Sequence, residues 1–138
     1  MEYSSTQIRE SCQNGGAGHD LGRCFAEALA RHGWRLRHTR VPLVVRMPGQ
    51  PDGIKLTLRK MRSRWGSCSV DGRVTLNTEL ARLPYRLVEY VAVHELCHLV
   101  HHNHSPAFYF QVASCLPDWR QRRDELKAVT LGKVRPKT

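Results

Sequence analysis

Between Pro84 and His102 the chain runs without a glycine or a further proline, and Val88, Val91, Ala92, Leu96, Leu99 and Val100 spread apolar side chains around much of a helical circumference. A surface helix carries one apolar stripe, whereas a helix that is apolar on most sides has to be surrounded. This stretch is therefore expected to be the central helix of the domain, with Pro84 in its first turn. Whatever else the chain forms must pack around it.

In the middle of that helix stands His94-Glu95-Leu96-Cys97-His98, an H-E-x-x-H. Residues i and i+4 lie one turn apart on the same face, so the two imidazoles can grip one ion. Two histidines and a glutamate buried there as ordinary core residues, without partners, would be costly. Zinc suits the arrangement, because catalytic zinc takes three protein ligands and keeps a fourth position for water. The pKa of that water falls to about 7. Imidazole ligation with an open position makes zinc the default among divalent ions. Glu95 is then the general base that takes the proton of the water and passes it to the leaving amine.

The third ligand has to come from outside the pair. His104, beyond the expected helix end, is the candidate, because Asn103 tolerates the left-handed conformation that ends helices and a turn there swings His104 back. The same histidine spacing occurs in metzincins, but the glycine of their motif is replaced here by His101, so the chain is not assigned to them. His101, His102 or a carboxylate from Asp118, Asp124 or Glu125 stay open as alternatives.

The rest of the chain reads as an α+β arrangement about this helix. Leu21, Phe25, Ala28 and Leu29 are spaced for an amphipathic helix from Asp20, its N-cap, to a stop at Gly33. Three strands follow: the apolar run Val41 to Met47, the alternating Ile54 to Arg59, and Arg73 to Asn77 after the turn signal Asp71-Gly72. Arg62 to Ser69 is expected to be an ordered loop. Ser105-Pro106 opens a helix to about Cys115, and Asp118, after Pro117, opens another to about Val129. Residues 1–19 read as a loose leader, 20–130 as a single domain and 131–138 as a basic tail.

Charge and cysteines narrow the setting. Lysine and arginine number 22 against 12 acidic residues, a net charge of +10. Such an excess attracts polyanions. Basic residues cluster at Arg59, Lys60, Arg62 and Arg64 and again at Arg120, Arg122, Arg123 and Lys127, with Trp65 and Trp119 near them. Nucleic acid is accordingly a candidate partner beside a polypeptide substrate, and a solvated basic face is the plainer meaning of such runs. The five cysteines are odd in number and include no C-x-x-C pair. No signal peptide or membrane span is read, so a reduced, cytoplasmic protein is expected.

Several further residues are candidates for the site. Arg64 is placed to stabilise a developing oxyanion or grip a substrate carboxylate. Asn77 is a candidate for orienting a ligand or a substrate carbonyl, and Tyr109 for donating to the oxyanion, although turn and packing roles compete with both. Gly72 to Asn77, as the strand before the central helix, is the candidate for binding substrate along its edge. Cys97 is read as a small apolar filler rather than a ligand, and Trp65 as packed into the core.

Four ordered blocks of sequence then carry a resemblance: Arg64-Trp65-Gly66-Ser67-Cys68-Ser69, Gly72-Arg73-Val74-Thr75-Leu76-Asn77, Val93-His94-Glu95-Leu96-Cys97-His98-Leu99, and Asn103-His104-Ser105 with Phe108 and Leu116-Pro117-Asp118. Together they resemble the YgjP-like metallopeptidase domain, a relative of the SprT-like and WLM domains, over roughly residues 55–126. Members usually carry a longer N-terminal region than precedes the match here. The resemblance implies a zincin-like fold, a small sheet beside the active-site helix. It also implies one zinc ion on His94, His98 and His104, a catalytic Glu95, and peptide hydrolysis. By analogy with SprT-like and WLM proteins, the polypeptide substrate is one associated with nucleic acid. The competing expectation is a zinc-containing basic module that binds partners with little or no catalysis. An intact Glu95 favours the enzyme, since a structural zinc site closes its fourth position with protein and has no use for a base.

Overall fold

The computed structural model describes residues 18–36, 39 and 41–129. Of the leader expected over 1–19 only Gly18 and His19 fall within these, and the tail expected over 131–138 lies outside the described residues.

Helix α1 (Leu21–His32) starts where the sequence places it. The side chain of extended Asp20 accepts a hydrogen bond from the backbone N–H of Arg23 at 3.1 Å, pairing one of the donors that a helix start leaves open. Leu21, Cys24, Phe25 and Ala28 form its buried stripe. Gly33 is not a left-handed stop: its φ is −58°, and the chain continues as a single 3-10 turn over Gly33–Arg35.

The sheet has three strands, as expected, but not the expected three. Strands β1 (Lys55–Arg59), β2 (Gly66–Cys68) and β3 (Arg73–Asn77) stand in the order β1-β3-β2, with β1 parallel and β2 antiparallel to β3. The run Val41 to Met47 contributes only an isolated bridge, Val45 to Ile54. An apolar run needs cover on both faces, yet Val44 and Met47 are exposed, and Pro42 and Pro48 bracket the segment without donors to offer. Conversely, the segment expected to be a loop supplies β2. Pairing is a main-chain property, and the turn leading into β3 enforces it. Ser69 N–H donates to the Arg73 carbonyl at 2.9 Å, and Gly72 turns with φ of 96°.

Helix α2 (Tyr85–Cys97) is the predicted central helix, with ten of its thirteen residues buried. It packs against α1, β2, β3 and both helices that follow. It ends at Cys97 and not near His102. The amides of His98, Leu99 and Val100 reach back only three residues, to the carbonyls of Glu95, Leu96 and Cys97, so the last turn tightens and the α-helix stops without a glycine. Helix α3 (Pro106–Cys115) opens on Ser105, whose Oγ accepts from Phe108 N–H at 3.2 Å. Helix α4 (Trp119–Lys127) ends two residues before the expected Val129. Asp118 precedes it but caps nothing with its side chain, accepting instead from Arg122 Nε at 3.0 Å.

One buried charge cluster ties three helices together. Glu89 of α2 accepts from Arg31 Nη1 at 2.9 Å and His32 Nε2 at 3.0 Å on α1, and from Arg122 Nη1 at 2.8 Å on α4. Burial alone would raise the Glu89 carboxyl, but the hydrogen bonds from His32 and Arg122 and the two guanidinium charges outweigh it and hold the group at about 2. Among the described cysteines, Cys68, Cys97 and Cys115 are free. Cys24 is disulfide-bonded, so the expectation of a wholly reduced set does not hold for it. No helix among the described residues is long and apolar enough to cross a membrane.

Candidate metal centre

The early end of α2 shapes the site. His94 lies on its last full turn and His98 at its C-cap, and the segment leading to Ser105 carries His104 back over both. The Nε2 atoms of His94 and His104 are 3.2 Å apart, and those of His98 and His104 3.1 Å. One ring nitrogen from each histidine falls within 4.8 Å of the others, the one such group of three or more His, Cys, Asp or Glu ligands among the described residues. Zinc–imidazole bonds of about 2.0–2.1 Å in a tetrahedral shell put ligand nitrogens roughly 3.3 Å apart. The donor set therefore fits a zinc-sized ion.

Protonation and packing suit ligation too. His98 Nδ1 donates to the carbonyl of His101 at 3.1 Å, which leaves its Nε2 as a bare lone pair facing the triad. Burial and the neighbouring His98 and His104 hold the His94 imidazole down to about 3, and burial lowers His98 as well. Neutral imidazole is the form that binds metal. Phe108 supplies the floor: its ring stacks on His98 at 4.4 Å and meets His94 and His104 edge-on at 4.9 and 5.1 Å. Sequence reasoning quoted Phe108 only within a family motif. The signal for its place was that it stands in the first turn of the helix that opens directly after His104.

The alternatives for the third position are elsewhere. His101 gives the triad its carbonyl and not its ring. His102 is exposed and borders the same cavity without joining the group. Asp118 and Glu125 pair with Arg86, and Asp124 with Arg123.

Glu95 is buried and faces β2. Burial pushes its carboxyl up to about 7, against the pull of the nearby Arg64 charge. The approach of β2 depends on Gly66, where an added Cβ would stand 3.0 Å from Glu95 Oε2 and 3.1 Å from both Glu95 Cγ and Val91 Cγ1. Gly66 escaped the sequence reading because it sat in a presumed loop. A cavity of about 410 Å³ is bordered by β2 on one side and by His94, Glu95, His98 and His104 on the other.

The remaining candidates divide. The strand Gly72 to Asn77 cannot take a substrate along its edge, because as β3 it is paired on both sides. The free edge beside the histidines is β2. Asn77 is wholly buried, with its amide nitrogen donating to the Met61 and Arg64 carbonyls at 2.9 and 2.8 Å and its oxygen accepting from Glu79 N–H at 2.9 Å. It holds the segment before β2 in place and, wholly buried with both its N–H groups committed, has no donor left for a ligand. Arg64, carried by that segment, borders the cavity beside Glu95. Tyr109 stacks on Trp119 at 4.9 Å and on His104 at 6.0 Å. Cys97 is a buried core residue, as expected, and Trp65 packs against the core. Arg122, counted among the basic residues of a nucleic-acid surface, is committed to Glu89 and Asp118.

Comparison with known proteins agrees with this geometry. The family model of the YgjP-like metallopeptidase domain matches residues 47–129. No curated protein matches the chain. Among solved structures, the metallopeptidase zymogen abylysin of Pyrococcus abyssi superposes with a TM-score of 0.56 at 20% identity, over 77% of this chain and 90% of that one. At that identity the likeness speaks for the fold, a small mixed sheet laid beside the H-E-x-x-H helix.

Proposed function

Since the chain belongs to the YgjP-like metallopeptidase family, we propose that it hydrolyses peptide bonds with one zinc ion on His94, His98 and His104 and with Glu95 as general base. The observation that carries this reading is the convergence of three imidazole nitrogens within 4.8 Å at the end of the helix that also bears Glu95. When bound, the ion supplies Lewis acidity, polarising a carbonyl and making water nucleophilic near neutral pH.

The residues around it do the rest. A polypeptide adds to the free edge of β2 through main-chain hydrogen bonds, which lays its backbone along the histidines. Glu95 takes the proton of the attacking water and returns it to the departing amine. Arg64, beside Glu95, puts a positive charge near the carbonyl oxygen as it gains negative charge, on the border of the cleft between β2 and the histidines.

Elemental analysis of protein purified without added metal, together with casein cleavage by wild type and Glu95→Gln, tests the reading. One equivalent of zinc in both proteins, with cleavage in wild type alone, is the expected result. Zinc in both without cleavage by either favours the alternative, a metal-containing binding module.

A further inference from the structure

Two basic stretches that lie nearly sixty residues apart in sequence meet at a second hollow next to Glu95. This cavity, of about 290 Å³, shares Arg64, Gly66, His94 and Glu95 with the cavity over the histidines. Its other walls are Trp65, Tyr90, Val91 and Leu126, all apolar or aromatic in body, and Arg123 and Lys127 of α4 complete it. Three cations therefore ring an apolar hollow whose one acidic wall residue is Glu95 itself.

The state of those cations is informative. Arg31, Arg82, Arg86 and Arg122 each pair with at least one carboxylate, while Arg35, Arg46, Arg59, Arg62 and Arg120 have no ion pair among the described residues, so what sets the pocket's cations apart is their place around one apolar hollow. Among the described residues, Lys127 and the Arg64 guanidinium have no ion pair, and Arg123 has only the adjacent Asp124. Unneutralised charge beside apolar walls is a binding site for an anion that brings an apolar body with it. A nucleic-acid strand would need its cations spread along an open track, whereas these stand around a single hollow of about 290 Å³.

We propose that this cavity selects the substrate, accepting a carboxylate-bearing residue beside the scissile bond, either an acidic side chain or the residue at the chain end. The proposal rests on the peptidase reading above. The methylenes of the bound residue lie against Trp65, Val91 and Leu126, and its carboxylate meets Lys127 and Arg123, which leaves Arg64 to the scissile carbonyl.

Binding to the full-length Glu95→Gln protein loaded with zinc tests this without requiring turnover. Fluorescein-labelled peptide amides differing only in Glu against Gln are compared by anisotropy, as are matched peptides with a free or amidated C-terminus. A charge-assisted contact predicts about tenfold tighter binding of the carboxylate member of one pair. The Glu/Gln pair winning identifies a side-chain carboxylate, and the free/amidated pair winning identifies a chain end. In either case Arg123→Gln combined with Lys127→Gln brings the ratio towards one. Equal binding within both pairs, or a ratio unchanged in the double variant, overturns the proposal. So does displacement of every peptide alike by a mixed-sequence single-stranded oligonucleotide, which would assign the cations to nucleic acid. Carboxylate preference in binding with no cleavage by wild type would remove the peptidase reading and leave the pocket. Cleavage indifferent to carboxylate would remove the pocket and leave the peptidase.

Discussion

Gly66 brings β2 so near the central helix that a methyl group at position 66 would stand 3.0 Å from Oε2 of Glu95. The backbone there is not in the left-handed region that glycine alone favours, so the side-chain contact is what excludes a larger residue. Gly66→Ala is therefore expected to fold and to retain its metal while displacing the carboxylate. A shift of a few tenths of an ångström to 1 Å at a general base is worth up to about 100-fold in rate. Steady-state cleavage beside metal content checks this. Unchanged kcat would mean that Glu95 can move aside without consequence.

His104 and His102 both lie in the segment after α2, yet only the former joins the other two histidines. His104→Ala is expected to weaken zinc binding by more than the roughly 10–100-fold that outer-shell partners contribute. His102→Ala is expected to stay within a few-fold of wild type. Competition with a chromophoric chelator measures both, and the opposite ranking would move the third ligand.

Asn77 governs the site from a distance. Its side chain bonds the carbonyls of Met61 and Arg64 and the amide of Glu79, and its own N–H donates to the Trp65 carbonyl at 2.9 Å. Asn77→Ala leaves three part-buried main-chain groups without that partner, at about 1–3 kcal/mol for each that water does not reach. Urea unfolding is expected to show a loss of at least about 2 kcal/mol. Asn77→Asp recovers only the bond from Glu79, because a carboxylate cannot donate to the two carbonyls, so it should not restore stability.

These residues also show what a one-dimensional reading reaches. The central helix and the histidines were legible because both signals are local: continuous apolar coverage, and ligands one turn apart. Ser105 and Asp20 were legible as caps for the same reason. Strand β2 was not, since Gly66, Ser67 and Cys68 show no alternation and their strand state comes from main-chain pairing with β3. The segment from Val41 erred the other way, looking like a strand while lacking cover on both faces. The hollow beside Glu95 was invisible because Arg64 and Lys127 become neighbours only when β2 and α4 pack on the same side of α2. Glu89 was overlooked on the central helix because its partners, Arg31, His32 and Arg122, are remote in sequence.

That Glu89 cluster makes stability depend on pH in a defined direction. The carboxyl sits at about 2 in the folded protein, against about 4.3 for a free glutamate. A group with a depressed folded value contributes its full stabilisation above the unfolded pKa and loses it as pH falls towards the folded one. Unfolding free energy is therefore expected to fall between roughly pH 4.5 and 2, by on the order of 3 kcal/mol from this residue. His32 works in the opposite sense. Burial opposes its charge, but the neighbouring Cys115 and the hydrogen bond to the Glu89 carboxylate raise its pKa overall. Its contribution is complete below the free-histidine value of about 6.5 and declines as pH rises through the folded one. Urea titrations of metal-free protein between pH 2.5 and 8 should thus give a stability maximum between the two windows. Glu89→Gln should make the acid limb shallower without abolishing it, because the metal-free His94 imidazole, held down at about 3, loses stability in the same direction. By removing the charge His32 faces, it should also weaken the alkaline decline, to which the raised Glu95 carboxyl contributes as well. A variant that kept the whole of the wild-type acid slope would place the dependence on other groups, the His94 imidazole among them.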